Sequence, residues 1–365
     1  MKILIVTNHS YMLYRFRKEL IQALMQDHEV VLSMPFVGHE EDFRAMGVRC
    51  INTEVDRRGI NPKTDLKLFN AYRRLLNQER PDMVITYSIK PNIYAGIACT
   101  LAGIPFCANV QGLGTAFQRK GLAQFVTILY KTALYKVKTV FFENEGNAQE
   151  FLSRKIIPAN KITLLHGAGI NLNDYPAMPY PQNDALHFLY LGRIMKEKGL
   201  DELFYAMRRL HQEIGNQVIL DLVGFFDDDY ESEVNSLVAD GIAVFHGFQS
   251  EPCPHYAAAD CVVLPSYHEG MSNVLLEAAA MGRPVITSNI YGCKEAVVEG
   301  VSGLLCEPRN TDSLYDAMAK FMKLSREQRE AMGRAGRAHM EAEFDKKKVV
   351  AETVRALGLE IEIAN

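Results

Sequence analysis

The chain of 365 residues lacks most marks of a secreted, membrane-spanning or metal-built protein. Its seven cysteines (Cys50, Cys99, Cys107, Cys253, Cys261, Cys293 and Cys306) are scattered, and no two have C-x-x-C spacing. That spacing would be needed for a zinc or redox site of the common kind. An odd, unclustered set points to a reducing compartment, where a cysteine in apolar surroundings serves as a small core residue. Nowhere do about eighteen apolar residues follow one another, so no membrane-spanning helix is expected. The opening apolar run, 1–7, is too short for a signal-peptide core and has no cleavage pattern. A cytoplasmic, non-spanning chain is therefore expected. An excess of one charge is missing too: 40 Lys and Arg stand against 44 Asp and Glu, a formal net charge of −4. That balance argues against a surface built for nucleic acid. Finally, there is no G-x-G-x-x-G turn. The first apolar run is followed by Asn8-His9-Ser10-Tyr11-Met12-Leu13-Tyr14, without glycine, and Gly112-Leu113-Gly114 lacks the third one. A nucleotide-cofactor dehydrogenase would need that turn to bring its backbone close to a pyrophosphate.

What is present is a hydrophobic fraction of 48%, enough for sizeable cores, in a chain long enough for two α/β domains. Short β-rich runs at 2–7, 29–33, 48–52, 83–86, 106–110, 139–142 and 162–165 alternate with helical patterns such as 14–25, 65–78 and 91–102. Alternation of this kind predicts a mostly parallel sheet with helices on both faces. At 176–181 three prolines fall in six positions, which neither a helix nor a central strand tolerates. The pattern then restarts, with strands at 187–191, 218–223, 243–245, 261–264 and 284–287, and helices from Leu200, Tyr230, Asn273 and Thr311. The expected organisation is a first domain over 1–172, a linker over 173–185 and a second domain over 186–345. A helical end over 346–365 would pack back on the first. Each domain is doubly wound and Rossmann-like, and the two face a central cleft. Ligands in such sheets bind at the carboxyl ends of the strands.

The strongest chemical signal is Pro265-Ser266-Tyr267-His268-Glu269-Gly270-Met271-Ser272-Asn273, which runs from an apolar strand into a helix containing Glu277. Ser272 or Asn273 can cap that helix, and its free N–H groups favour an anion. Gly270 allows a ligand close to the backbone. Glu269 and Glu277 would lie about 12 Å apart along a helix axis, so they can touch one extended ligand at two points but cannot form an adjacent carboxylate pair. On spacing alone, Glu277 could equally be a solvated helix residue. A second strand–loop–helix element, Leu189 to Leu200, carries Gly192-Arg193 and Lys198. A guanidinium fork and a compact ammonium suit a diphosphate.

Together these segments resemble the retaining nucleotide-sugar glycosyltransferases of the GT-B fold, in glycosyltransferase family 4. The resemblance rests on Gly192-Arg193 with Lys198, on Glu269 to Glu277 as the E-x7-E motif, and on the run Ala279 to Ile286. It implies that Arg193 and Lys198 hold the donor diphosphate and that Glu269 approaches the hydroxyls of the transferred sugar. By the same resemblance, Gly192 and the backbone of Gly270, Met271, Ser272 and Asn273 line the donor, Glu277 binds the ribose, and Phe248 lies near the base. No metal or other cofactor is implied.

In the first half, Tyr87 to Gly96 and Asn109 to Phe117 follow two expected strands. Pro91 fits a first helical position, and the glycines and free N–H groups suit an acceptor phosphate. These stretches resemble bacterial enzymes that extend glycans on undecaprenyl diphosphate, often with N-acetylhexosamine donors. Lys90, Asn92, Gln111, Gly112 and Gly114 are the implied acceptor residues. Many members carry glycines after the first strand and a histidine near Gln111 or Gly112. Both are absent here, and His166, His246 and His268 are candidates by loop position only. The implied activity is transfer of a hexosyl unit from a UDP-sugar to a lipid-linked saccharide. The alternatives are a soluble acceptor, a dehydrogenase or a non-catalytic binding module of the same fold. Between Gly112 and Phe142 no Asp or Glu occurs, while Arg119, Lys120, Lys131, Lys136 and Lys138 interleave with apolar residues. With Arg15, Arg17 and Lys18, this basic amphipathic stretch is expected at the inner face of the cytoplasmic membrane, peripherally bound.

Overall fold

The computed structural model describes residues 1–56, 61–113, 117 and 120–360, which form two compact units. The first comprises Met1–Gly169 with Lys346–Asn365 and the second Ile170–Asp345.

In the first unit, seven strands run in parallel: β1 (Lys2–Val6), β2 (Glu29–Met34), β3 (Arg49–Asn52), β4 (Met83–Tyr87), β5 (Phe106–Val110), β6 (Thr139–Phe142) and β7 (Ile162–Leu164). Their order across the sheet is β3-β2-β1-β4-β5-β6-β7. Alternate side chains go to opposite faces: Leu4, Val6 and Val84 enter one buried cluster, Ile3, Ile5 and Ile85 the other. Both faces are covered, which is why these strands read as continuous apolar runs. The connecting helices are α1 (Ser10–Met25), α2 (Glu40–Ala45), α3 (Pro62–Glu79), α4 (Ile89–Ala102), α5 (Lys120–Ala133) and α6 (Glu145–Ser153).

The second unit repeats the plan with β8 (Leu186–Leu191), β9 (Val218–Val223), β10 (Ala243–Gly247), β11 (Cys261–Leu264), β12 (Val285–Ser288) and β13 (Gly303–Cys306), again all parallel. The order is β10-β9-β8-β11-β12-β13. Its helices are α7 (Leu200–Ile214), α8 (Glu231–Ala239), α9 (Cys253–Ala258), α10 (Asn273–Ala280), α11 (Thr311–Met322) and α12 (Arg326–His339). The last helix, α13 (Lys346–Ala356), packs on α1 of the first unit, with Val350, Val354 and Leu357 in its core.

Several elements differ from the sequence reading. The segment 173–185, expected as a linker, belongs to the second unit. The fully buried Arg283 donates to the carbonyls of Pro179 at 2.6 Å and Met178 at 3.3 Å, and the Tyr180 hydroxyl donates to the Asp260 carbonyl at 2.8 Å. The prolines thus break regular structure without freeing the chain. The helix α4 starts at Ile89, so Pro91 is its third residue. A third-position N–H has no intrahelical acceptor either, so the ring is tolerated there. The strand β13 has only four residues and follows no long apolar run, and the sequence reading omits it.

Candidate functional site

In both sheets the strand order reverses beside the first strand of the unit. That reversal lies between β1 and β4 in one sheet and between β8 and β11 in the other. Crossover helices leave in opposite directions there, which opens a crevice at the carboxyl ends of the strands. In the second unit, Gly192-Arg193 follows β8 and Pro265 to Gly270 follows β11, so both expected donor segments flank this crevice.

The loop after β8 is fixed from below. Gly192 N–H donates to the Val223 carbonyl at 2.9 Å, and the buried Tyr190 hydroxyl donates to the Arg193 carbonyl at 2.5 Å. The Arg193 side chain is 48% exposed and pairs with Asp227 at 2.7 Å. Six residues on, the chain crosses the β11 loop at Gly199. Its φ is +73°, and an added Cβ would come within 2.1 Å of the Pro265 carbonyl oxygen, so only glycine fits. Tyr267 N–H donates to the Glu197 carbonyl at 2.9 Å, and the Tyr267 hydroxyl to the buried Glu202 carboxylate at 2.7–2.8 Å. This crossing brings Lys198 Nζ to 2.5 Å from Glu269 Oε1, which also accepts from Ser266 Oγ at 2.9 Å.

The turn from Glu269 into α10 is buttressed by Gly292, at φ +87°, where a Cβ would meet the Gly270 carbonyl oxygen at 2.5 Å. Ser272 N–H donates to the Gly292 carbonyl at 2.8 Å. Ser272 sits at the N-cap of α10, yet its side chain makes no capping bond, contrary to the sequence expectation. The Met271 side chain is buried in the core, so only its backbone is available to a ligand. Glu277 is 3% exposed and accepts from the Tyr256 hydroxyl of α9 at 2.8 Å. It is no solvated helix residue. Beyond β10, Phe248 is 61% exposed and meets the ring of Phe225, itself 47% exposed, edge-on at 6.1 Å. Phe225 is an aromatic that sequence reasoning passed over, because nothing local pairs it with Phe248. Behind that loop, Asp221 accepts from His187 and His246 at 2.7 Å each.

In the first unit the expected acceptor residues fare differently. Asn92 is buried, holding Thr86 Oγ1 at 2.6 Å and the Asn109 carbonyl at 2.8 Å. Its amide ties β4 to β5 and does not reach a ligand, which corrects the sequence reading. Lys90 pairs with the buried Asp65 at 2.8 Å, so its charge is already balanced. Gly112 has open space around its Cα, Gln111 is half-buried directly after β5, and Gly114 lies outside the described residues. Across the strand-order reversal, Ser88 Oγ donates to Asn8 Oδ1 at 2.8 Å, with Ser88 at φ 75° and ψ 160°. That region is nearly restricted to glycine, and residues held in it cluster at functional sites. Nothing in the residue type signals it.

Of the basic stretch expected at a membrane, Arg119 and the Lys120 side chain lie outside the described residues. Lys138 is exposed while it donates to the Leu357 carbonyl, whereas Arg17 is buried against Glu143 at 2.6 Å and presents no surface charge. Lys131 and Lys136 are exposed beside Phe125 (46%), Ile128 (63%) and Tyr135 (76%). Among the described residues, no helix is long and apolar enough to cross a membrane, and no three His, Cys, Asp or Glu side chains are grouped to hold a metal.

Comparison with known proteins matches residues 2–144 to the family "Glycosyl transferase 4-like" and residues 185–323 to "Glycosyl transferases group 1". The N,N'-diacetylbacillosaminyl-diphospho-undecaprenol alpha-1,3-N-acetylgalactosaminyltransferase of Campylobacter jejuni is 28% identical, over 88% of this chain and 90% of its own. The capsular polysaccharide biosynthesis glycosyltransferase CapM of Staphylococcus aureus is 27% identical, over 78% and 80%. Among solved structures, Anabaena Alr3699/HepE in complex with UDP and glucose superposes with a TM-score of 0.79 at 17% identity, covering 98% of this chain and 99% of its own.

Proposed function

Because the chain is a glycosyltransferase of GT-B fold in the family 4-like group, we propose that it moves an N-acetylhexosaminyl unit from a UDP-sugar to a saccharide on undecaprenyl diphosphate, with retention. The carrying observation is the Lys198–Glu269 contact between the loops after β8 and β11, the strands that flank the strand-order reversal, with Arg193 on the first of these loops and Glu277 on the helix that follows the second. The acceptor class is supported by the Campylobacter relative, whose name places its sugar on a diphospho-undecaprenol. Phe125 and Ile128 on α5, with Lys131 and Lys136, offer a face for anionic lipid.

In this reading the bond between the sugar C1 and the diphosphate oxygen breaks while the acceptor oxygen bonds to C1 on the same face. The acceptor proton passes to the departing diphosphate. Charge builds on the diphosphate, so Arg193 and Lys198 stabilise the transition state more than the bound donor. The Lys198–Glu269 ion pair holds the cation in place beforehand. When the diphosphate takes over Lys198, Glu269 accepts from the sugar hydroxyls, Glu277 binds the ribose and Phe248 covers the base. Gln111 and Gly112 meet the acceptor.

A panel of UDP- and GDP-sugars against lipid-linked saccharides extracted from bacterial membranes, read by mass spectrometry, tests this. The expected product is an acceptor heavier by one N-acetylhexosamine, from a UDP donor only. Transfer exclusively to water-soluble acceptors, or from GDP donors, would displace it.

A further inference from the structure

The strand β12 lies next to β11 in the sheet, with Thr287 beside Leu264, so the loop after β12 starts alongside the loop that carries Glu269. The two loops touch at Gly292, where an added Cβ would stand 2.5 Å from the Gly270 carbonyl oxygen and 2.8 Å from that of Glu269. The loop after β12 is firmly held. Gly292 N–H donates to Glu295 Oε2 at 2.7 Å, Lys294 N–H donates to the Ile290 carbonyl at 3.0 Å, and Cys293 is fully buried. This support carries two side chains at the surface. Tyr291 is 42% exposed, and Lys294 Nζ lies 3.8 Å from the centroid of its ring. Among the described residues no carboxylate pairs with Lys294.

An ammonium has three N–H donors, and one ring face cannot occupy them all, so Lys294 keeps donors for a ligand. An N-acetylhexosamine differs from a hexose by an amide, which joins a carbonyl acceptor to an apolar methyl group. A cation held beside an aromatic ring matches both parts at once. We propose that Tyr291 and Lys294 recognise the acetamido group of the transferred sugar: Lys294 donates to its carbonyl oxygen, and the Tyr291 ring packs against its methyl. The inference rests on the functional reading above and deepens it, naming what selects the N-acetylated donor. In that reading Glu269 accepts from the sugar hydroxyls. Tyr291 is one Cα step, about 3.8 Å, from the glycine that touches the Glu269 loop. A plain hexose offers this pair no amide, and UDP alone does not reach it.

The test measures Kd by calorimetry, without acceptor, for three probes: UDP, a UDP-hexose and the matching UDP-N-acetylhexosamine. The variants are Lys294→Met, Lys294→Arg and Tyr291→Ala. Lys294→Met and Tyr291→Ala are each expected to raise the Kd of the N-acetylated donor about tenfold, the size of one well-placed contact. Their Kd values for UDP and UDP-hexose should stay within about twofold of wild type, a split that a merely structural role would not produce. Lys294→Arg keeps a charged donor that stacks on aromatic rings and should retain most of the preference. An unchanged Kd for the N-acetylated donor in both Lys294→Met and Tyr291→Ala overturns the inference while leaving the functional reading intact, and so does equal weakening of all three probes. A wild-type protein that binds UDP-hexose more tightly than the N-acetylated donor overturns both.

Discussion

Lys198 Nζ and Glu269 Oε1 lie 2.5 Å apart with a sequence separation of 71 residues. The contact exists because β8 and β11 are neighbours in the sheet, and because Gly199 lets the loop after one pass against the loop after the other. Without a donor, the two groups neutralise each other. In the function proposed above, a diphosphate, which carries more negative charge than one carboxylate, is expected to displace Glu269 from the lysine and release it toward the sugar.

Arg193→Ala and Lys198→Ala are each expected to lower kcat by about 10²–10³-fold, the usual loss for one group that stabilises developing charge. Arg193 is half exposed and its pair with Asp227 is worth little to stability, so the melting temperature of Arg193→Ala should stay near that of wild type. Steady-state kinetics at saturating donor decide the matter. Full turnover in both variants would remove them from the diphosphate.

Tyr256→Phe separates a positioning contact from the fold. It deletes the hydroxyl that donates to the buried Glu277, removing one hydrogen bond of that carboxylate at a cost of about 1–2 kcal/mol. Urea midpoints should report that loss. Donor KM should rise in parallel, and more steeply in Glu277→Gln, which changes the proposed ribose contact itself. A donor KM indifferent to both substitutions would take Glu277 out of the donor site.

Gly199→Ala places a methyl group about where the Pro265 carbonyl oxygen stands, at a backbone conformation that alanine resists. A cost of at least about 2 kcal/mol is expected, together with loss of activity as Lys198 and Glu269 part. Thermal unfolding and kinetics on the purified variant give the two readouts. Wild-type values in both would mean the crossing tolerates a shift that its distances do not suggest.

The His187–Asp221–His246 chain should make stability depend on pH. The Asp221 hydrogen bond raises the His187 pKa above the ordinary 6.5, aided by the charges of Asp221 and Asp260 and opposed by burial. Asp221 is pushed up by burial, but the bonds from the two histidines prevail and hold it below 3.8. Stabilisation from His187 is thus full below the unfolded imidazole value and is lost as pH rises through the raised folded one. That from Asp221 is full above the unfolded carboxylate value and is lost as pH falls through the lowered folded one. Between those limits both contribute. The stability advantage of wild type over His187→Gln should therefore shrink as pH rises from about 6.5 into the alkaline range. A melting-temperature difference that stays constant over that range would show that the histidine carries no linked proton.

The amino-acid sequence by itself determined the alternation of strands and helices, the restart of the pattern after Pro181, and the residue types at 193, 198, 269 and 277. These are local properties: period and residue chemistry can be read within a dozen positions of the chain. The tertiary structure decided what long-range contact decides. It paired Lys198 with Glu269, buried Glu277 against Tyr256, and turned Asn92 inward to tie β4 to β5. It also fastened the proline-rich segment to the second unit through Arg283, and joined Arg17 to Glu143 across 126 positions of the chain. Each of these depends on which strands lie side by side, and in a parallel sheet neighbours come from distant parts of the chain.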